Sequence, residues 1–209
     1  MTAPDRPPEL PYPVTPGREP PTPVQPAPIP VPDLPEGDAR RRLFDRRTVM
    51  VTGPLDRPAV NELCAQLMAL DGESSRDVEA IVNSQGGPLP EVPAVLDVLG
   101  LMRAPVHTTC IGTARGTAAA ILACGTGERR MTPSATVSLR CDEVESIEGS
   151  ADDIRSEAEQ LEAVRTGVVA AVATRTGMKA EAVAREMERG GWHDAEAARA
   201  LGIVDVIRS

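Results

Sequence analysis

Residues 106–124 combine a β-branched run, Val106-His107-Thr108-Thr109-Cys110-Ile111, a turn of small residues, Gly112-Thr113-Ala114-Arg115-Gly116-Thr117, and an alanine-rich run from Ala118 to Cys124. The first run favours a strand and the last a helix. A sharp strand-to-helix turn is where many α/β enzymes expose a nucleophile. It also leaves the N–H groups of a helix's first turn without intrahelical acceptors, ready to face an anion. The centre of this turn is Gly116, which has no side chain with which to attack.

Other residues capable of chemistry are few. The four cysteines, Cys64, Cys110, Cys124 and Cys141, form no C-x-x-C pair and sit among apolar or small residues, so they read as buried reduced thiols. With only His107 and His193 to join them, no zinc site is expected, and no cofactor motif occurs. Ser84 stands in an Asn-Ser turn, Ser138 on a predicted strand with Arg140 two residues on, and Cys141 beside that arginine. The spacing predicts that Ser138 and Arg140 share a strand face and that Cys141 faces away. Each of these reads as packing or as a turn hydrogen bond rather than as a relocated Ser–His or Cys–His site.

The elements that must position these residues alternate in the α/β manner. Short strands are predicted at 49–52, 78–83, 106–111, 136–140 and 203–207. Between them, helices are predicted at 57–70, 91–102, 118–124, 150–176, 180–188 and 194–201. In the first helix Val60, Leu63, Cys64, Leu67 and Leu70 share a face. Ser150 with Asp153 three residues on reads as a capping box, opening a long helix on which Ile154, Ala158, Leu161, Val164, Val168 and Val172 recur at helical spacing. Gly177 stops it. Strands alternating with helices imply a largely parallel sheet.

Composition narrows the function classes. The net charge is -9 and the pI about 4.8, which argues against a nucleic-acid footprint. Tyr12, Phe44 and Trp192 are the only aromatic residues, so base stacking is excluded and the core must be aliphatic. No signal peptide and no apolar run of roughly 18 residues are present, which predicts no membrane span and a cytoplasmic protein. Residues 1–36 carry fourteen of the 21 prolines and read as a disordered Pro-rich tail ahead of a globular domain at 37–209.

The landmarks Arg42-Leu43-Phe44, Gly53-Pro54-Leu55-Asp56, Asn83-Ser84-x-Gly86-Gly87, Cys110-Ile111-Gly112 and Ala195-x-x-Ala198-x-x-x-Gly202-Ile203-Val204-Asp205 occur in order over residues 40–208. In these the chain resembles the proteolytic subunits of the Clp protease, serine peptidases. The resemblance implies a ClpP/crotonase-like fold with repeated ββα-type units and a protruding handle helix, here 150–176. It also implies stacked seven-membered rings fed by an ATPase, and a Ser-His-Asp mechanism with two backbone oxyanion donors.

Carried onto this chain, the resemblance places the serine at Gly116, the histidine at Arg140 and the aspartate near Glu186. Glycine has no nucleophile, arginine stays protonated and cannot act as a base, and Glu186 is left with nothing to orient. The implied oxyanion donors are the N–H groups of Gly87 and Thr117. Pro88 removes one further N–H from the segment.

The resemblance also bears on partners. Glu79 and Ile81 stand where the family has tyrosines in its ATPase-docking pocket, so docking to a Clp ATPase is not expected. A carboxylate buried at Glu79 would carry a desolvation cost. The handle's apolar stripe reads as an oligomer interface in preference to core. The acidic run Asp142, Glu143, Glu145, Glu148 opposes ring-to-ring pairing. The expected partners are the chain itself and active Clp proteolytic subunits. The resulting expectation is a catalytically inactive, structural or regulatory Clp subunit-like protein. The alternatives are a crotonase-type acyl-CoA-binding enzyme, a weakly active serine peptidase with a relocated site, and a paralogue with no strong function.

Overall fold

Hydrophobic alternation builds the sheet. The computed structural model describes residues 36–141 and 149–208. Apart from Glu36, the predicted Pro-rich tail lies outside them, as does the acidic run from Asp142 to Glu148. Strands β1 (Thr48–Pro54), β2 (Val78–Gly86), β3 (Val106–Arg115), β4 (Arg129–Met131), β5 (Thr136–Ser138) and β6 (Val206–Ile207) form one sheet. Its order is β1-β2-β3-β4-β6, with β5 also paired to β3 and every pairing parallel. The α/β class and the parallel sheet are as the alternation of elements predicts.

One face of the sheet is dry. Val49, Val51, Val78, Ala80, Val82, Val106 and Cys110 are all buried. Against them pack apolar residues of α2 (Arg57–Glu73), α3 (Val92–Leu101) and α4 (Thr117–Cys124). The other face carries Thr48, Met50, Glu79, Ile81, His107 and Thr109, all half-buried. A sheet wetted on one side needs polar groups there, and they pair with one another. Glu79 accepts from Thr109 Oγ1 at 2.5 Å and from Arg130 Nη1 at 2.8 Å. The desolvation cost expected at Glu79 is therefore offset by two partners, one on the adjacent strand β3 and one on β4 beyond it.

The local signals that end and start helices are in place. Asp56 caps α2 by accepting from Ala59 N–H, and Pro58 stands in its first turn. Both arms of the Ser150–Asp153 capping box are formed at α5 (Ala151–Thr176), and Gly177 closes it with φ 75. Gly190, with φ 67, ends α6 (Ala180–Arg189), and Asp194 caps α7 (Ala195–Ala200).

The differences from the sequence reading have local causes. A helix, α1 (Glu36–Asp45), precedes β1 in a segment that shows few apolar positions. β4, of sequence Arg-Arg-Met, escapes a hydrophobicity search because it is three residues long and two of them are arginine. β3 runs on to Arg115 instead of ending at Ile111. It bends at Gly112 (φ 77), where a Cβ would lie 2.9 Å from Asn83 Oδ1, and Asn83 accepts the Thr113 N–H. Before the bend β3 pairs with β4, and after it with β5. β5 ends at Ser138, so Arg140 leaves the strand and the shared face predicted for Ser138 and Arg140 is not formed. Ser138 is buried and Arg140 exposed. The closing strand is only Val206–Ile207, because Ile203 and Val204 are buried in a loop whose Ile203 N–H is taken by Ala198 O.

Candidate functional site

The turn after β3 is assembled from three chain segments. Gly116 has φ 53 and ψ -116 and precedes α4, which has no side-chain cap. This backbone region costs a side-chain-bearing residue on the order of 1–3 kcal/mol. The Gly116 N–H donates to Ser138 O at 2.9 Å, tying the turn to the end of β5. Beyond that strand the chain passes directly over the turn. A Cβ on Gly116 would lie 2.9 Å from Arg140 O and 3.0 Å from Cys141 Cα. The volume a nucleophilic side chain would need is filled by backbone.

Gly86 and Gly87 pass beside the same turn. A Cβ on Gly86 would meet Arg115 O at 2.3 Å and Thr117 N at 3.2 Å, and one on Gly87 would meet Leu55 O at 2.2 Å. Only glycine fits either position. Thr117 Oγ1 donates to Gly87 O at 2.8 Å. The two residues expected to supply oxyanion donors are therefore brought together and pinned. Ser84 Oγ donates to Gly53 O at 2.5 Å and accepts from Gly86 N–H at 2.9 Å, so its hydroxyl holds the Gly-Gly turn.

The other two positions that the resemblance marks both lie by the C-terminal end of α6. The stem of Arg140 lies against Gly190, where an added Cβ would sit 2.5 Å from Arg140 Cδ. Glu186, one turn earlier on α6, does not stand idle, contrary to expectation. Its Oε2 lies 2.9 Å from His193 Nε2. His193 is fixed in turn by a two-way backbone bridge with Val137, N–H to O at 2.9 and 2.8 Å. A carboxylate–imidazole pair exists, then, but as a clamp between α6 and β5. Sequence reasoning missed it because no spacing rule links a helix position to a loop histidine seven residues on. His107 is similarly engaged: Nδ1 accepts the Glu128 N–H at 2.8 Å, so Nε2 carries the proton toward Asp77 Oδ2 at 3.0 Å.

The thiols divide into two kinds. Burial pushes Cys110 up to about 12 and Cys124 up to about 11, the latter despite Arg175 and Arg129 nearby. Cys64 is raised by burial too, although it and Cys141 are only half-buried, which corrects the expectation of four buried thiols. Among the described residues no group of three His, Cys, Asp or Glu side chains is placed to hold a metal ion. No helix among them is long and apolar enough to cross a membrane.

The comparisons with known proteins agree with this architecture. The solved ClpP protease catalytic domain from Plasmodium falciparum superposes with a TM-score of 0.73, covering 87% of this chain and 95% of that one at 21% identity. The chain is 32% identical over 174 residues to the ATP-dependent Clp protease proteolytic subunit 2 of Corynebacterium jeikeium, covering 82% of this chain and 83% of that protein. It is 36% identical over 173 residues to a putative ATP-dependent Clp protease proteolytic subunit-like protein of Streptomyces coelicolor, covering 81% and 82%. The family profile described as Clp protease matches residues 36–209. A single parallel sheet, a glycine-lined strand-to-helix turn and this continuous match place the chain in the Clp protease family.

Proposed function

We propose that this chain is a non-hydrolytic Clp proteolytic subunit, a pseudo-protease that contributes structure or regulation to a Clp-type oligomer. The observation that carries the reading is Gly116. The elbow conformation is kept, the hydroxyl is absent, and the backbone of Arg140 and Cys141 fills the space above it. Arg140 supplies a permanent cation in place of a base. The carboxylate of Glu186 is committed to His193. Ser84 and Ser138 offer no substitute nucleophile, since the first is bonded on both sides and the second is 1% exposed. The same absence of a nucleophile tells against the relocated peptidase, and the acyl-CoA alternative is separated by calorimetry with coenzyme A, where no binding is expected.

The test is a fluorogenic peptide assay combined with a fluorophosphonate probe on the purified full chain. Background hydrolysis and no covalent label are expected. A stoichiometric serine adduct located by mass spectrometry sinks the reading. Co-purification with an active Clp proteolytic subunit separates a working oligomer component from a paralogue without partners.

A further inference from the structure

Two donors meet at one nitrogen of His107. Nδ1 accepts the Glu128 N–H at 2.8 Å, and Arg130 Nη2 lies 3.4 Å from the same atom. The ring packs on Gly127, where an added Cβ would sit 2.6 Å from Nδ1. Its other nitrogen, Nε2, faces Asp77 Oδ2 at 3.0 Å. These contacts join the approach to β2, β3 itself and the segment 125–128 that leads from α4 into β4. That segment has three further ties to β3. Val106 N–H donates to Thr126 Oγ1 at 2.9 Å, Gly127 N–H to Val106 O at 2.8 Å, and Thr108 N–H to Glu128 O at 3.1 Å. The bond to Nδ1 differs from these three in that a proton undoes it.

A protonated imidazole has no lone pair, and both of its nitrogens donate. A proton on Nδ1 would therefore set hydrogens against one another where the Glu128 and Arg130 donors now converge on an acceptor. It would also place a positive ring 3.4 Å from the Arg130 guanidinium, which Glu128 Oε2 at 2.5 Å and Glu79 Oε2 at 2.8 Å hold in place. The charged groups around the ring are Asp77 ahead of β2, Glu79 on β2, Glu128 in the segment and Arg130 on β4, three carboxylates against one cation. A proton arriving at the ring meets an excess of negative charge, yet it breaks a contact. Imidazole is the side chain that ordinarily changes charge between about pH 5 and 8.

We propose that His107 is a proton-operated latch on the segment 125–128. Neutral, with its hydrogen on Nε2, it holds Glu128 to β3. Protonated, it drops the Glu128 N–H and turns from Arg130, and the segment loosens while its three other bonds keep it in register. The bond needs the neutral ring, so it is complete at high pH and lost as pH falls through the imidazole titration. The latch lies on the half-buried face of the sheet and operates whether or not the chain cuts peptides.

The measurement is nitrogen NMR of the full chain between about pH 8 and pH 5, with amide-exchange protection read on the same samples. At the upper end the His107 Nδ1 shift should be that of an acceptor nitrogen and the Nε2 shift that of an N–H. As the ring protonates, the Glu128 amide should lose protection roughly tenfold, after correction for the intrinsic pH dependence of exchange. The Val137 and His193 amides, bonded backbone to backbone, should keep theirs. His107→Asn puts a carbonyl oxygen that does not titrate close to the place of Nδ1, so its Glu128 amide should stay protected throughout. The proposal is overturned if the ring protonates with the Glu128 amide still protected, or if it stays neutral until the fold is lost. Equal loss at Glu128 and Val137, or equal loss in His107→Asn, overturns it as well. The first three of these outcomes are read on the unaltered chain and do not depend on a variant that folds.

Discussion

The carbonyl oxygen of Arg140 lies 2.9 Å from the point a Cβ would occupy on Gly116, and the Cα of Cys141 lies 3.0 Å from it. Backbone therefore crowds the space that a side chain on Gly116 would need, and the neighbouring segment would have to shift to admit one.

Gly116→Ser should accordingly be destabilising rather than activating. A non-glycine residue in this backbone region costs on the order of 1–3 kcal/mol, before any displacement of residues 140–141. Urea denaturation of the single variant should show the loss, and Gly116→Ser/Arg140→His should remain unlabelled by a fluorophosphonate. Restored labelling in the double variant would show that the turn opens without cost.

Arg129 ties the end of the chain to the sheet. Its Nε donates to Asp205 Oδ2 at 3.0 Å and its Nη2 bonds Asp205 Oδ1. Its Nη1 reaches the carbonyls of Ala123, Arg175 and Gly202 at 3.2, 2.9 and 2.7 Å. Arg129→Met leaves these acceptors without their donor and should cost on the order of 2–4 kcal/mol in chemical denaturation. An unchanged midpoint would refute the role.

Acid sensitivity follows from the same pair. The hydrogen bond from Arg129, aided by the backbone N–H and the cation's charge, holds the Asp205 carboxyl below its usual range against a smaller opposing effect of burial. A carboxylate whose folded pKa is depressed stabilises the fold above its unfolded pKa of about 4, and that contribution is lost as pH falls through the folded value. Thermal midpoints should drop on acidification below about pH 4 in the unaltered chain, and less steeply in Asp205→Asn. Parallel profiles would dismiss the assignment.

Thiol reactivity should separate the cysteines. Cys110 and Cys124, pushed up to about 12 and about 11, stay protonated and buried at pH 8. A disulfide reagent should modify no more than Cys64 and Cys141 in the folded chain, and all four in guanidinium. Four fast reactions without denaturant would contradict the packing around α4.

Ser150→Ala removes a cap whose side chain accepts from Asp153 N–H, while Asp153 accepts in return from the Ser150 N–H. The loss should be about 1 kcal/mol, confined to the projecting turn of α5. Amide exchange should quicken over residues 151–160 and stay unchanged over 168–172. Uniform quickening would mean the helix opens as one unit.

Short-range physics was legible in the residues themselves. The capping box at Ser150, the stop at Gly177, and the buried stripe Val60, Leu63, Leu67 and Leu70 depend on neighbours within a few positions, whereas the caps at Asp56 and Asp194 went unread. The ordered landmarks and the missing side chain at Gly116 were legible for the same reason: a motif is a local string. Tertiary structure alone decided where long-range backbone goes. It carried β3 through a bend at Gly112, ended β5 before Arg140, and laid residues 140–141 over the turn. It gave Glu79 its partners and paired Glu186 with His193. It also divided α5 into a buried and a projecting half, although the stripe is continuous in sequence. Such contacts depend on which segments the sheet order brings together, and hydrophobic periodicity records a face without naming what covers it.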